Sequence, residues 1–154
     1  MSSQKRMDLI LSLVWEVKMF IASAILYNEH VAASLGLNGT DLQILHLLEL
    51  RVASTPGDLA RLSGLTTGGV TVVLDRLEKH GYVKRQPNPK DRRSVLVQTV
   101  PAKLRKLAPL YQSKGEALMK AVAEYEERDL QAVIDFFKAA NDSESAAGKS
   151  PDPA

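Results

Sequence analysis

The 154-residue chain contains no cysteine. That excludes disulfides, thiolate metal sites and thiol-based redox switching, and it fits a reducing, cytoplasmic setting. Aromatic residues make up only 5% of the chain, so any core must be built mainly from Leu, Val, Ile and Ala. The three histidines, His30, His46 and His80, fall on different elements without metal-ligand spacing, and no metal centre is expected. No motif sets a nucleophile beside a base, so neither an enzyme nor a cofactor is implied. The most apolar run, Ile21 to Leu26, is closely flanked by polar or charged residues. It is too short to span a bilayer, so neither a signal peptide nor a membrane partner is expected.

What is present is an ordinary globular composition, 45% hydrophobic and 25% charged. The length suits one domain of residues 1–140 with a sizeable core. The net charge of +2 conceals a strong asymmetry. Residues 1–75 carry five Lys/Arg against seven Asp/Glu, residues 76–109 carry ten against two, and residues 110–154 carry five against nine. The basic segment is therefore net +8, an electrostatic footprint suited to nucleic acid as well as to a solvated surface.

Apolar periodicity predicts a long helix over residues 5–34, with Leu9, Leu13, Val17, Phe20, Ala24 and Val31 near one stripe. Ile10, Val14, Ile21 and Ile25 widen that stripe beyond one packing face, so part of it is expected to cover a second subunit. Gly36 to Gly39 breaks the helix, and Thr40 with Gln43 has capping-box spacing for a short helix to Arg51. Thr55-Pro56-Gly57-Asp58 supplies an N-cap, a first-position proline and a dipole-matching acid for the next helix. Gly64 turns the chain into a second helix starting at Thr66 or Thr67. Val70, Val73, Leu74 and Leu77 form its buried stripe, leaving Thr67, Gly68, Thr71, Val72 and Asp75 outward with Arg76 at the margin.

Gly81 ends that helix. Tyr82–Gln86 and Ser94–Thr99 read as two strands around a tip bearing Lys90, Asp91, Arg92 and Arg93. Asp91 and Arg93 are two apart and, if extended, project to one side, where an ion pair would aim the guanidinium. Pro101 opens a further helix expected to kink at Pro109, residues 124–137 form a last helix, and residues 141–154 read as a disordered tail. The fold class is mainly α with a small β-hairpin wing, a winged helix-turn-helix. Its DNA-binding lobe spans about residues 40–100.

Gly57-Asp58-Leu59-Ala60, Val70-Thr71 with Asp75 through Val83, and Asp91-Arg92-Arg93-Ser94 resemble the MarR family of bacterial transcription regulators. The resemblance covers residues 8–138. It implies a homodimer built from the first and last two helices, about residues 5–35 and 101–140, a wing arginine aimed at the minor groove by Asp91 and carried by Arg93, and a ligand cleft beside the DNA-binding lobe. The chain departs from the family's usual pattern at Gly68-Gly69, where small hydroxyl residues are common, and at Val72, where a basic residue is common. It departs again at Thr99-Val100, which puts the cap of the following helix in doubt.

The expected function is sequence-specific binding of double-stranded DNA by a repressor on a palindromic operator, released by a small, phenolic ligand. Thr66, Thr67, Gly68, Thr71 and Val72 are assigned to the major groove, Arg76, Arg85 and Lys90 to phosphates, and Arg92 and Arg93 to the wing. Trp15, Met19, His46, Leu107 and Tyr111 are the candidate ligand-binding residues. The alternative is a winged-helix protein-protein module with weak or lost DNA binding, favoured by Gly68, Gly69 and Val72.

Overall fold

The computed structural model describes residues 3–51 and 53–147. These fall into two compact units, Met1–Gln43 and Ile44–Ala154.

In the first unit, α1 (Ser3–Ser34) runs for 32 residues, about 48 Å at 1.5 Å per residue. Only Val31 and Ala32 of this helix are buried. Leu9, Leu13, Trp15, Phe20, Ile21 and Ile25 are all exposed, so the broad apolar stripe read from the sequence is present but uncovered. The helix as a whole is long and apolar enough, by length and composition, to cross a membrane. The apolar window is longer than the Ile21–Leu26 run because charged residues are sparse along the helix. Gly36, at φ 71°, turns the chain out of α1.

The helix α2 (Gly39–Glu49) begins in the first unit and ends in the second. Its capping box differs from the Thr40–Gln43 pair expected. Asn38 Oδ1 accepts the Asp41 N–H at 2.9 Å, while the Asp41 carboxylate accepts the Asn38 N–H at 3.2 Å. The same three-residue spacing fits two residues earlier, and the buried Asp41 finds its partner there.

The second unit holds the helix-turn-helix and wing. Helix α3 (Pro56–Ser63) starts as the sequence predicts, with Thr55 at the N-cap and Pro56 in the first turn. Asp58 completes a reciprocal box: its N–H donates to Thr55 Oγ1 at 3.1 Å, and its carboxylate accepts the Thr55 N–H and hydroxyl. Those bonds, with the Arg61 guanidinium at 2.7 Å, hold the Asp58 carboxyl below its ordinary pKa. Gly64, at φ 71°, reverses the chain into α4 (Thr67–Lys79), where Thr66 caps by accepting the Gly69 N–H at 3.1 Å. Val70, Val73, Leu74 and Leu77 are buried, as their 3–4 spacing requires. They share the core with Ile44, Leu45, Leu48, Leu59, Tyr82, Val83 and Val97.

After Gly81 (φ 76°), β1 (Val83–Pro87) pairs antiparallel with β2 (Val95–Thr99), with Arg85 opposite Val97. A pairing not read from the sequence adds to this hairpin. Ser54, just before α3, exchanges both backbone hydrogen bonds with Val97, at 3.2 and 2.8 Å. One residue is too short a strand to leave a periodic signal. The sheet root is thus fixed to the segment that launches α3.

Beyond the wing, α5 (Pro101–Leu104) is a single turn, and its Val100 N-cap makes no side-chain cap bond. Pro109 does not kink a continuous helix. It sits in the first turn of a separate helix, α6 (Ala108–Ala121), where its missing N–H removes no helical bond. Helix α7 (Glu127–Ala147) runs past the expected stop near residue 137. The tail expected from residue 141 is therefore corrected as far as Ala147, because Ser and Ala residues carry the helix onward at small propensity cost. Residues 148–154, the rest of that tail, lie outside the described residues.

Candidate nucleic-acid interface

Helix α4 has two chemically distinct sides. Burying Val70, Val73, Leu74 and Leu77 forces Thr67, Gly68, Thr71 and Val72 outward, and all four are exposed. Val72 is 54% exposed although the same helix has a core to join. A side chain added at Gly68 would meet nothing within 4 Å, so no packing demand explains that glycine. Gly69 is different: an added Cβ would lie 3.2 Å from the capping Thr66 oxygen. The Thr71 hydroxyl donates to the Thr67 carbonyl at 3.0 Å, which leaves its methyl group and oxygen lone pairs facing outward. Thr66 is exposed but committed to capping.

The wing tip is a braced turn. Asn88 accepts the Lys90 N–H at 3.0 Å and donates to Ser94 Oγ at 2.8 Å, and Ser94 donates on to the Asp91 carbonyl at 3.1 Å. Lys90, Asp91, Arg92 and Arg93 are all exposed on it. The expected ion pair between Asp91 and the Arg93 guanidinium is corrected. Asp91 Oδ1 accepts the Arg93 backbone N–H at 3.0 Å instead. The segment lies between the two strands and turns rather than extending, so the period-two argument does not reach it.

Arg85 is corrected as well. Instead of standing ready for a phosphate, its guanidinium bonds Asp75 at 2.7 Å through one arm and Glu78 through the other. Its backbone N–H also donates to Glu78 at 3.2 Å. Partial desolvation disfavours the charged form, but the bonds to Asp75 and Glu78 outweigh it and raise the pKa above the ordinary value. The clue in the sequence was Asp75 and Glu78 three apart on one helix face, two acids in an otherwise basic stretch. Arg76, half-buried in the last turn of α4, has interactions of its own.

Of the candidate ligand residues, the structure brings two together. His46 Nε2 and the Tyr111 hydroxyl are 3.0 Å apart, their rings meet edge-on at 5.5 Å, and His46 Nδ1 lies 2.9 Å from Glu49 Oε2. Leu107 is buried in the second unit. Trp15 and Met19 are exposed on α1, in the first unit. No cluster of three or more His, Cys, Asp or Glu suited to a metal occurs among the described residues.

A strand-rooted wing beside a helix that keeps one face out of the core is the architecture of winged helix-turn-helix regulators. The MarR family profile matches residues 35–94, which span α2 to the wing tip. An uncharacterised HTH-type transcriptional regulator of Bacillus subtilis, YcgE, is 36% identical over 118 residues, 77% of each chain. The chain belongs to the MarR family. Its relatives are transcription regulators rather than enzymes. The multiple antibiotic resistance protein MarR of Salmonella typhimurium is 28% identical over 103 residues, covering 67% of this chain and 72% of that protein. Among solved structures, Escherichia coli MarR in its apo form matches with a TM-score of 0.60 at 22% identity, over 83% of this chain and 95% of the other. A mutant of the same protein complexed with operator DNA matches with a TM-score of 0.56 at 22% identity, over 86% and 96%. These structural matches establish the MarR winged-helix fold.

Proposed function

We propose that this MarR-family regulator is a homodimeric, cytoplasmic repressor that reads a near-palindromic operator in double-stranded DNA and is released by a small phenolic ligand. The observation that carries the reading is the outward face of α4. Thr67, Gly68, Thr71 and Val72 are held out of the core beside an exposed wing bearing Lys90, Arg92 and Arg93. Thr71 and Val72 offer methyl groups to thymine, and the threonine oxygens offer hydrogen-bond partners to base edges. The open space around Gly68 lets the helix terminus come close to a phosphate. Lys90 and Arg76 serve the backbone, while Arg92 and Arg93 serve the wing.

The exposed stripe of α1 supports association through residues 5–35 together with 101–140, leaving residues 40–100 as the DNA-binding lobe. Burial of that stripe against a second copy accounts for its apolar length better than a membrane does, since the relatives are transcription regulators. A two-fold dimer would present two α4 helices to half-sites about 34–36 Å apart. The His46–Tyr111 pair offers a phenolic ligand a ring edge and two polar atoms. Trp15, Met19 and Leu107 belong to the expected ligand set but do not carry this reading.

Exposed Val72 supports a second reading, a winged helix used for protein contact. A salt-titrated binding assay separates the two. The DNA upstream of the protein's own gene is compared with a scrambled duplex of equal length. Tight, specific binding that weakens steeply with salt is expected of the regulator. Equal, weak binding to both duplexes and to genomic fragments selected by the protein would defeat it.

A further inference from the structure

We propose that Arg85 is a positioning residue for DNA reading, a two-armed clamp that sets the wing against α4 and masks two carboxylates on the reading helix. The proposal rests on the DNA-binding reading above. Arg85 projects from β1, the strand that leads to the wing tip, while Asp75 and Glu78 project from α4. One guanidinium spans both acids, and the Arg85 backbone N–H adds a third bond, the second to Glu78. The contact therefore joins the two elements that must address adjacent grooves. Arg85 is half-buried, with a quarter of its side chain accessible, whereas Asp75 is 61% exposed.

Asp75 lies four residues after Thr71 and three after Val72, so it shares their side of the helix. An unpaired carboxylate there would stand against the phosphates of a bound duplex. Pairing with Arg85 lessens that repulsion without placing a free cation at the surface. The geometry needs arginine. Its planar fork offers separate N–H groups to two acceptors, while a lysine ammonium is one compact charge on a flexible stem. A residue that merely contacted phosphate would tolerate lysine.

The test uses full-length protein and the operator fragment bound by the wild type, with affinity followed across salt concentration and hydroxyl-radical footprints of the complex. Arg85→Lys keeps the charge and breaks the fork. It is expected to weaken binding about tenfold, within the range of measured coupling between contacting residues, and to lose protection under the wing while keeping protection under α4. Arg85→Gln is expected to weaken binding with an unchanged salt slope, and Asp75→Asn added to it is expected to restore part of the affinity. Arg85→Lys matching the wild type in affinity and footprint overturns the proposal. So does Arg85→Gln lowering the salt slope by about one with no rescue by Asp75→Asn, the signature of a phosphate contact. Absence of specific binding by the wild type overturns the DNA-binding reading itself, and the clamp's role with it.

Discussion

The carboxylate of Asp91 accepts the backbone N–H of Arg93 at 3.0 Å, so the acid shapes the turn that carries the arginine and leaves the guanidinium outward. Asp91→Ala is expected to loosen the wing tip and weaken operator binding several-fold, while Asp91→Asn, whose amide oxygen can still accept that N–H, retains most of the affinity. Equal losses in the two variants would show that the charge of Asp91, not its turn, is what DNA binding uses.

Arg93→Ala is expected to reduce both operator affinity and its salt slope, the latter by about one if a single phosphate or minor-groove contact is lost. Binding isotherms at several salt concentrations measure this. An unchanged slope and affinity would remove Arg93 from the interface.

Gly68→Ala meets no obstacle in the free protein, because nothing lies within 4 Å of the added Cβ. Replacing glycine in the first turn of α4 is expected to stabilise the fold by up to about 1 kcal/mol. If close backbone approach to DNA is what the glycine provides, the melting temperature rises while operator affinity falls. Thermal denaturation beside a binding titration reads both. Affinity that rises together with stability would refute the close-approach role.

The Asp58 carboxyl is held below its ordinary pKa of 3.8, first by the Thr55 hydroxyl and then by Arg61. A depressed acid contributes stability that is present above the unfolded pKa and is lost as pH falls through the folded one. Asp58→Asn is therefore expected to destabilise the protein at neutral pH, with the gap to wild type closing below about pH 4. Denaturant titrations at pH 7 and in acid check it. A gap independent of pH would assign the loss to capping geometry alone. Thr55→Ala is expected to cost about 1 kcal/mol at neutral pH.

Tyr111→Phe deletes the bond to His46 and leaves the ring contact. The expected loss is about 0.5–1.5 kcal/mol in stability. If the pair anchors a phenolic effector, ligand-induced release from DNA is also expected to weaken more than DNA binding does. Release titrations with a phenolic compound compare the two proteins. Undiminished release would take Tyr111 out of the ligand site.

The helix-turn-helix was legible because each of its signals is local. Thr55, Pro56 and Asp58 start α3, Thr66 starts α4, Gly81 stops the chain, and Val70, Val73, Leu74 and Leu77 repeat with the helical period. The features that escaped depend on neighbours in space. Arg85 reads as a surface cation until α4 brings Asp75 and Glu78 to it. Ser54 reads as loop until Val97 pairs with it. Asn38 and Asp41 competed with Thr40 and Gln43 for the same capping rule, and the register of α2 decided between them. Pro109 could end, kink or begin a helix, and the sequence rule for proline does not choose among these.

The pairing of Ser54 with Val97 also decides which side of the small sheet stays open. Ser54 covers the outer flank of β2 at Val97, while the outer backbone edge of β1 has no strand partner among the described residues. Open edges invite another chain to add a strand and start aggregation. Here Pro87 ends the edge with a residue that has no N–H to donate, and Lys84 places an exposed positive charge along it. Two copies aligned edge to edge would bring like charges together, so the hairpin is protected against polymerising through its own backbone.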